Sequence, residues 1–322
     1  MGNRALVLSG GGAKGAFELG VVDYLVNDRG LYFDVICGVS TGALNASFLS
    51  QGKGYEGLKE KLEKLKEIWF GIQSDDDIYY HTPAIEFLRL VSLYNNRPLK
   101  EKIDEHIRPA LLKSSGVEFR IGVVSLNSGD YLSINQSEKS LKRFILASTS
   151  IPVLFSPVKH KGQLYVDGGV RNITPLQDAL LALKDLPRHD TPDEVYIVLA
   201  SPMKIKRIQT EDTNNIFEIL KRSVEILTAE IYRDDIDHAI EVNKYISSVE
   251  LLKEKLAEKI PQDELDAIFA SVEFPFVKKS QRYVNIFRFE PDREYLGSLE
   301  FDPEKIKKAF RAGRRKAKSV MG

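Results

Sequence analysis

The sequence predicts an α/β protein built on a mostly parallel sheet, and three observations carry that expectation. Residues 4–9 and 33–37 are short apolar runs, each followed by a glycine-bearing turn and then a helix-spaced segment. Successive strand–turn–helix units of this kind imply parallel strands joined by crossovers. Apolar strands then return at 163–166, 194–200 and 283–290, with helical stretches between them.

The elements follow in order. After the strand at 4–9, Gly10-Gly11-Gly12 interrupts, and 13–27 carries Phe17, Val21, Tyr24 and Leu25 at helical spacing. The strand at 33–37 runs into Gly38-Val39-Ser40-Thr41-Gly42, and 43–50 reads as a helix of small residues. Residues 58–70 form an amphipathic helix with Lys and Glu on its outer face, followed by the solvated loop Ser74-Asp75-Asp76-Asp77. Helices are expected over 83–91 and 97–112, and strands over 118–125 and 131–134 around the turn Asn127-Ser128-Gly129-Asp130. A helix over 141–148 ends before Ile151-Pro152, and the strand at 163–166 meets Asp167-Gly168-Gly169. A helix over 175–184 and a parallel strand over 194–200 complete a core at 4–200. Beyond residue 205 the chain turns charged and helical: a long helix over 216–259 with a break near Tyr245, a strand over 283–290 and a last helix over 303–318. The late strand is expected to return to the same sheet. The chain thus reads as one domain over 1–322, with 206–322 a mainly helical extension.

Composition sets the outer limits. At 322 residues, 43% hydrophobic and 29% charged, the chain has the make-up of a globular protein with a sizeable core. Lys+Arg and Asp+Glu balance at 46 each, which gives no basic field for nucleic acid. The single cysteine, Cys37, excludes an internal disulfide framework and a cysteine-built zinc site. Neither a signal-peptide pattern nor an apolar run long enough to span a bilayer is found. A cytoplasmic protein, meeting membranes only peripherally, is the expectation.

Two glycine turns hold the chemistry. Gly10-x-Gly12-x-x-Gly15 after a strand matches a dinucleotide fingerprint, which makes a non-catalytic nucleotide-binding protein the alternative reading. That fingerprint needs an acid at the end of the second strand. Asp34 stands at the beginning of that strand, and its end is Gly38. The second turn, G-x-S-x-G between a strand and a helix, is a nucleophile elbow. Gly38 and Gly42 leave room for a strained turn that pushes out the Ser40 hydroxyl, and the following helix presents its positive end to a developing oxyanion. Consecutive glycines at 10–12 can gather several N–H groups into one concavity. Both turns lie at the carboxyl ends of parallel strands, the edge at which such sheets bind ligands.

Ser40 then needs a base. The five histidines, His81, His106, His160, His189 and His238, sit in no motif and read as surface residues. Asp167 follows a strand and precedes Gly168 and Gly169, so its carboxylate can reach the same edge; an Asx turn is the competing reading.

Together these residues resemble the patatin-like phospholipase family. Ser9-Gly10-Gly11-Gly12-Ala13-Lys14-Gly15 looks like its oxyanion block, Gly38-Val39-Ser40-Thr41-Gly42 its nucleophile block, Ala147-Ser148-Thr149-Ser150-Ile151-Pro152 its proline-containing block and Asp167-Gly168-Gly169 its base block. The resemblance implies a three-layer α/β/α fold and a Ser40–Asp167 dyad without histidine. It also implies an acyl-enzyme on Ser40, with the oxyanion held by the amides of Gly11 and Gly12, joined by Gly10. Lys14 is expected to secure the glycine loop. The implied substrate is a phospholipid or other acyl-ester lipid, with no cofactor and no metal. After Asp167-Gly168-Gly169 the residues Val170-Arg171-Asn172 depart from the commoner family sequence, which bears on the loop's shape.

Two segments bear on membrane contact. The apolar stretch 83–94 reads as a buried helix covering the sheet, or as a lid or membrane-touching helix. The tail at 305–318 carries eight Lys/Arg residues and reads as a solvated helix face or as an anionic-lipid patch.

Overall fold

The computed structural model describes residues 2–81, 92–204, 216–271 and 282–322. The helix expected at 83–91 lies outside the described residues.

Strand β1 (Arg4–Leu8) is buried along nearly its whole length, and its alternate side chains feed two separate cores. Leu6 and Leu8 face one, Ala5 and Val7 the other. The same alternation holds in β2 (Val35–Gly38), where Ile36 opposes Val35 and Cys37, and in β9 (Asp193–Val198), where Tyr196 and Val198 oppose Val195 and Ile197. A strand covered on both faces has no polar side, which is why these segments read as unbroken apolar runs.

The sheet runs β10 (Val284–Phe289), β9, β1, β2, β5 (Glu118–Ser125), β8 (Gln163–Asp167), β7 (Val158–His160), with β6 (Tyr131–Asn135) also on β5. It is parallel from β10 to β5, and β6, β8 and β7 are antiparallel additions. One face carries α1 (Gly15–Asp23), α2 (Thr41–Leu49), α3 (Gly54–Gly71), α4 (Arg97–His106), α6 (Leu141–Ser148) and α10 (Pro303–Met321). The other carries α7 (Leu176–Asp185) and Ile236, Ala239 and Ile240 of α8 (Ile216–Ala257). This is the three-layer α/β/α arrangement.

Three local details differ from expectation. The helix at 97–112 is two helices, α4 and α5 (Pro109–Ser114), because the Arg108 residue before proline is driven to extended backbone. Helix α8 continues through Tyr245 without a break, in keeping with a sequence that offers neither Gly nor Pro there. The first helix opens with a tight turn at Gly12–Lys14 and closes with a π-helical turn over Tyr24–Asp28.

Helices α1 and α10 pack at unusually short range. A Cβ on Gly20 would lie 2.0 Å from the Phe310 carbonyl oxygen, and one on Gly313 2.1 Å from that of Phe17. Glycine at both positions lets the last helix clamp the helix that follows the first glycine turn.

Candidate active site

Ser40 stands at the centre of the Gly38–Gly42 turn and caps α2. Its backbone sits at φ 56°, ψ −125°, a region that costs a non-glycine residue about 1–3 kcal/mol. The turn has no room to relax: a Cβ on Gly38 would meet the Gly42 carbonyl oxygen at 2.2 Å, and one on Gly42 the Leu8 carbonyl oxygen at 2.3 Å. The Ser40 carbonyl accepts from Ala43 and Leu44, which starts α2, and its N–H donates to Ser148 Oγ at 3.1 Å. Ser148 in turn donates to the Gly122 carbonyl of β5 at 2.7 Å.

Asp167 reaches Ser40 by a route that sequence spacing does not reveal. Strand β2 pairs with β5 up to Gly38 opposite Ile121, and β8 pairs with β5 from Ser125 opposite Tyr165 to Val123 opposite Asp167. Since β6 fills the other edge of β5 along both stretches, β2 and β8 share one edge and meet carboxyl end to carboxyl end. Asp167 is therefore placed two residues along β5 from the end of β2. Its N–H is held by the Ser150 carbonyl at 3.0 Å, so the segment 148–150 after α6 secures the backbone of both Ser40 and Asp167.

The Asp167 carboxylate is 3% exposed. Oδ1 accepts the Gly169 N–H at 2.8 Å, and Oδ2 is buried with no hydrogen-bond partner. Burial pushes its pKa up to about 7, while the Gly169 amide and the Ser40 hydroxyl pull it back. Ser40 thus stands near enough to favour the ionised form without completing a strict hydrogen bond, a looseness usual in sites without substrate. A carboxylate poised near neutrality is a far better base than a free aspartate.

The first glycine turn lies against this pair. A Cβ on Gly10 would come 3.1 Å from that of Ser40 and 2.7 Å from Ile173 Cδ1. The Gly10 N–H, which the sequence places among the donors, is given to the Ile173 carbonyl at 3.0 Å and is not available to an oxyanion. The amides of Gly11 and Gly12 find no backbone acceptor among the described residues. Gly12 has φ +59°, and a Cβ there would be 2.0 Å from the Ser298 carbonyl oxygen. Lys14 is buried and bonds Ser201 Oγ at 3.1 Å and the Glu294 carboxylate, which ties the glycine loop to two later segments.

Ser40 opens onto an apolar cavity of about 110 Å³ that runs between α2, α3 and α4, past Leu44, Leu65, Trp69, Ile72 and Phe155. His106 is in its lining too, but its ring packs edge-on against Phe48 at the far end of α2. Eight residues of helix separate Phe48 from Ser40, about 12 Å, so His106 is no base for that serine. His160, expected at the surface, is buried edge-on against Phe144. His81 and His189 are exposed, and the His238 side chain lies outside the described residues. Asp34 accepts the Arg4 N–H at 2.8 Å at the start of β2, far from any ribose position that a nucleotide site would need. No group of three or more His, Cys, Asp or Glu able to hold a metal occurs among the described residues.

The family model for patatin-like phospholipases matches residues 6–180, just over half of the chain, and spans both turns and Asp167. The chain belongs to the patatin-like phospholipase family. Membership supports a lipid hydrolase and lipid substrates. Among curated proteins, an uncharacterized Bacillus subtilis protein, YqhO, is 27% identical over 194 residues, which are 53% of this chain and 64% of that protein. The chain thus spans just under two thirds of that relative's length. Among solved structures, VipD from Legionella pneumophila aligns over 100% of this chain and 67% of its own, at 13% identity and a TM-score of 0.46. ExoU, in its complex with SpcU from the Pseudomonas aeruginosa type III secretion system, aligns over 74% and 51%, at 15% identity and 0.27. At such scores neither likeness bears on this chain's activity. No helix among the described residues is long and apolar enough to cross a membrane.

Proposed function

We propose that the protein is a serine-dependent lipid acyl hydrolase, a phospholipase A-type enzyme or broader esterase, that works through Ser40 and Asp167. The observation that carries this is the strained Ser40 between a buried carboxylate with one unpartnered oxygen and an apolar cavity of about 110 Å³. Asp167 takes the Ser40 proton as Oγ attacks the ester carbonyl carbon. The carbonyl oxygen becomes an oxyanion, held by the amides of Gly11 and Gly12. Collapse expels the alcohol, which takes the proton from Asp167, and leaves the acyl group on Ser40. Water, deprotonated by the same carboxylate, then attacks the acyl-enzyme, and the fatty acid leaves as Asp167 returns the proton to Ser40. The acyl chain lies along Leu44, Leu65 and Ile72 throughout. The chemistry calls for no cofactor or metal, and the reading treats 1–322 as one domain whose core is 4–200.

A fluorophosphonate probe should label the native protein, and Ser40→Ala should abolish labelling and lower ester turnover about 10³-fold or more. Labelling that persists in the variant removes Ser40 as the nucleophile. Lipid analysis after incubation with mixed phospholipids, native protein against the same variant, identifies the substrate.

The structure also sharpens the membrane reading. Of the eight cations on α10, Lys305, Lys307, Arg314 and Lys316 are paired with acids. Lys308, Arg311, Arg315 and Lys318 are exposed, make no ion pair among the described residues, and recur along one outward stripe. Such a stripe suits anionic lipid headgroups. Reversing all four charges should reduce co-sedimentation with anionic vesicles about tenfold or more and leave hydrolysis of a water-soluble ester unchanged; undiminished sedimentation removes the stripe as the contact.

A further inference from the structure

Glu18 is a fully buried carboxyl group on α1 that the proposed reaction does not use. Its surroundings form a connected chain of polar contacts through the core. Trp69 Nε1 of α3 donates to Asn45 Oδ1 of α2 at 2.9 Å, and Asn45 Nδ2 donates to Glu18 Oε2 at 3.2 Å. Glu18 Oε1 lies 3.4 Å from Ser9 Oγ, which receives the Ala200 N–H at 2.9 Å and lies 3.3 Å from the Gly10 carbonyl oxygen. Asn45 and Trp69 line the same cavity as Ser40. The chain therefore joins the nucleophile helix to the oxyanion turn.

Counting hydrogens along it assigns a protonation state. Ser9 has one hydroxyl hydrogen and two candidate acceptors, Glu18 Oε1 and the Gly10 carbonyl. With Glu18 protonated, its own hydrogen goes to Ser9 Oγ, and Ser9 gives its hydrogen to Gly10. Ser9 Oγ then accepts twice and donates once, and each of these three contacts matches a donor with an acceptor. With Glu18 ionised, the carboxylate claims the Ser9 hydrogen and the contact to Gly10 is lost. Among the described residues no ion pair reaches Glu18. On α1 itself, Lys14 is directed to Glu294 and Ser201, and Asp23 is held by Lys66 of α3 and Arg314 of α10. Burial drives the Glu18 carboxyl well above the usual carboxylate range, against the opposing pull of Asn45 and Ser9.

The Gly10 carbonyl matters because it shares a peptide plane with the Gly11 N–H. In a trans peptide the two groups point in opposite directions, so a bond that holds the carbonyl on one side aims the amide to the other. We propose that Glu18 is a positioning residue: as a neutral acid it holds Ser9 against the Gly10 carbonyl and so aims the Gly11 amide at the oxyanion. The kinetic part of this rests on the hydrolase reading above; the protonation state does not.

Three variants at two positions test it. Glu18→Gln keeps a donor for Ser9 and an acceptor for Asn45, and its turnover should stay within about threefold of native. Glu18→Leu keeps the volume without the hydrogen bonds, and kcat should fall about 10–100-fold with KM nearly unchanged, as for a weakened oxyanion donor. Ser9→Ala should cost as much, and the double variant Ser9→Ala/Glu18→Leu no more than either alone. Native turnover should decline at alkaline pH as Glu18 ionises, and Glu18→Gln should abolish that decline. Overturning results are a Glu18→Leu enzyme as fast as native, a Glu18→Gln enzyme as slow as Glu18→Leu, or an alkaline limb that survives in Glu18→Gln. Infrared difference spectra of native protein against Glu18→Gln at pH 8.5 read the acid directly, with or without hydrolysis. The carbonyl stretch of a protonated carboxyl group should be present in the native protein and in Ser40→Ala, and absent from Glu18→Gln. Its absence from the native protein overturns the neutral acid, whereas its presence alongside Ser40-independent turnover overturns only the hydrolase reading.

Discussion

The two glycine turns follow adjacent parallel strands and open adjacent helices, yet they are built on opposite principles. The turn after β2 is crowded first within itself, Gly38 against the Gly42 carbonyl, with the Leu8 carbonyl of the neighbouring strand β1 closing on Gly42, and it holds Ser40 at positive φ. The turn after β1 is defined by distant chain, with Gly10 against Ile173, Gly11 against Ala200 and Gly12 against Ser298. The elbow stores local strain, whereas the oxyanion turn depends on tertiary closure. The elbow can be written into five consecutive residues; the first glycine turn has to be assembled.

Substitutions can separate the two designs, and Asp167→Asn, which leaves both turns in place, should combine a large kinetic effect with the largest change in stability. Loss of the base should lower turnover about 10³-fold. Because the folded-state pKa of Asp167 is raised from 3.8 to about 7, the native fold favours the neutral acid. It then binds more protons than the unfolded chain between those values, and stability falls as pH rises from about 4 to about 7. Asn cannot ionise, so thermal unfolding should show Asp167→Asn more stable than native above pH 7, by about 1–4 kcal/mol, and without advantage at pH 4. The native pH–rate profile should rise to a plateau above pH 7 on the same ionisation. An enzyme at full rate at pH 5 would not be using this carboxylate.

The next largest effect should come from Gly12→Ala. A Cβ at that positive φ, 2.0 Å from the Ser298 carbonyl, should destabilise the fold by about 1–3 kcal/mol and lower turnover about 10²-fold, read by denaturant unfolding and ester hydrolysis. Ser40→Gly, the smallest expected change in stability, should go the other way. Relief of the strained backbone should raise stability by about 1 kcal/mol while activity disappears. If Ser40→Gly is destabilised instead, the strain is not held locally and the contrast between the turns fails.

Both turns, the central strands and the Ser40 motif were legible because each is written in contiguous residues: apolar runs, close-packed glycines, a helix of small residues. The split of α4 from α5 was legible too, in Pro109, and a helix drawn across it ignored the restriction on the residue before proline. What contiguous residues do not show is who meets whom across the sheet. The end-on approach of β8 to β2 is set by pairing on β5, and the diversion of the Gly10 amide by a carbonyl at Ile173. Ser148 and Ser150 carried a family motif without a visible task until their bonds to Ser40 and Asp167 were seen. Glu18 looked like one more helical glutamate, since nothing in a single chain marks a carboxyl group for complete burial.

The meeting of β2 and β8 on one edge of β5 has a consequence for how this protein can change. A strand register moves in steps of one residue, and each step turns a side chain to the opposite face. The alignment of Ser40 with Asp167 is accordingly all-or-none with respect to sliding, and the chain that links β5 to β8 enters it through the 148–150 anchor. Evolution or an engineer can exchange the cavity-lining Ile151 and Phe155 of that segment, provided that Val123 still finds Asp167 and the 148–150 anchor is kept. New specificity can be built there with the nucleophile and its base left untouched.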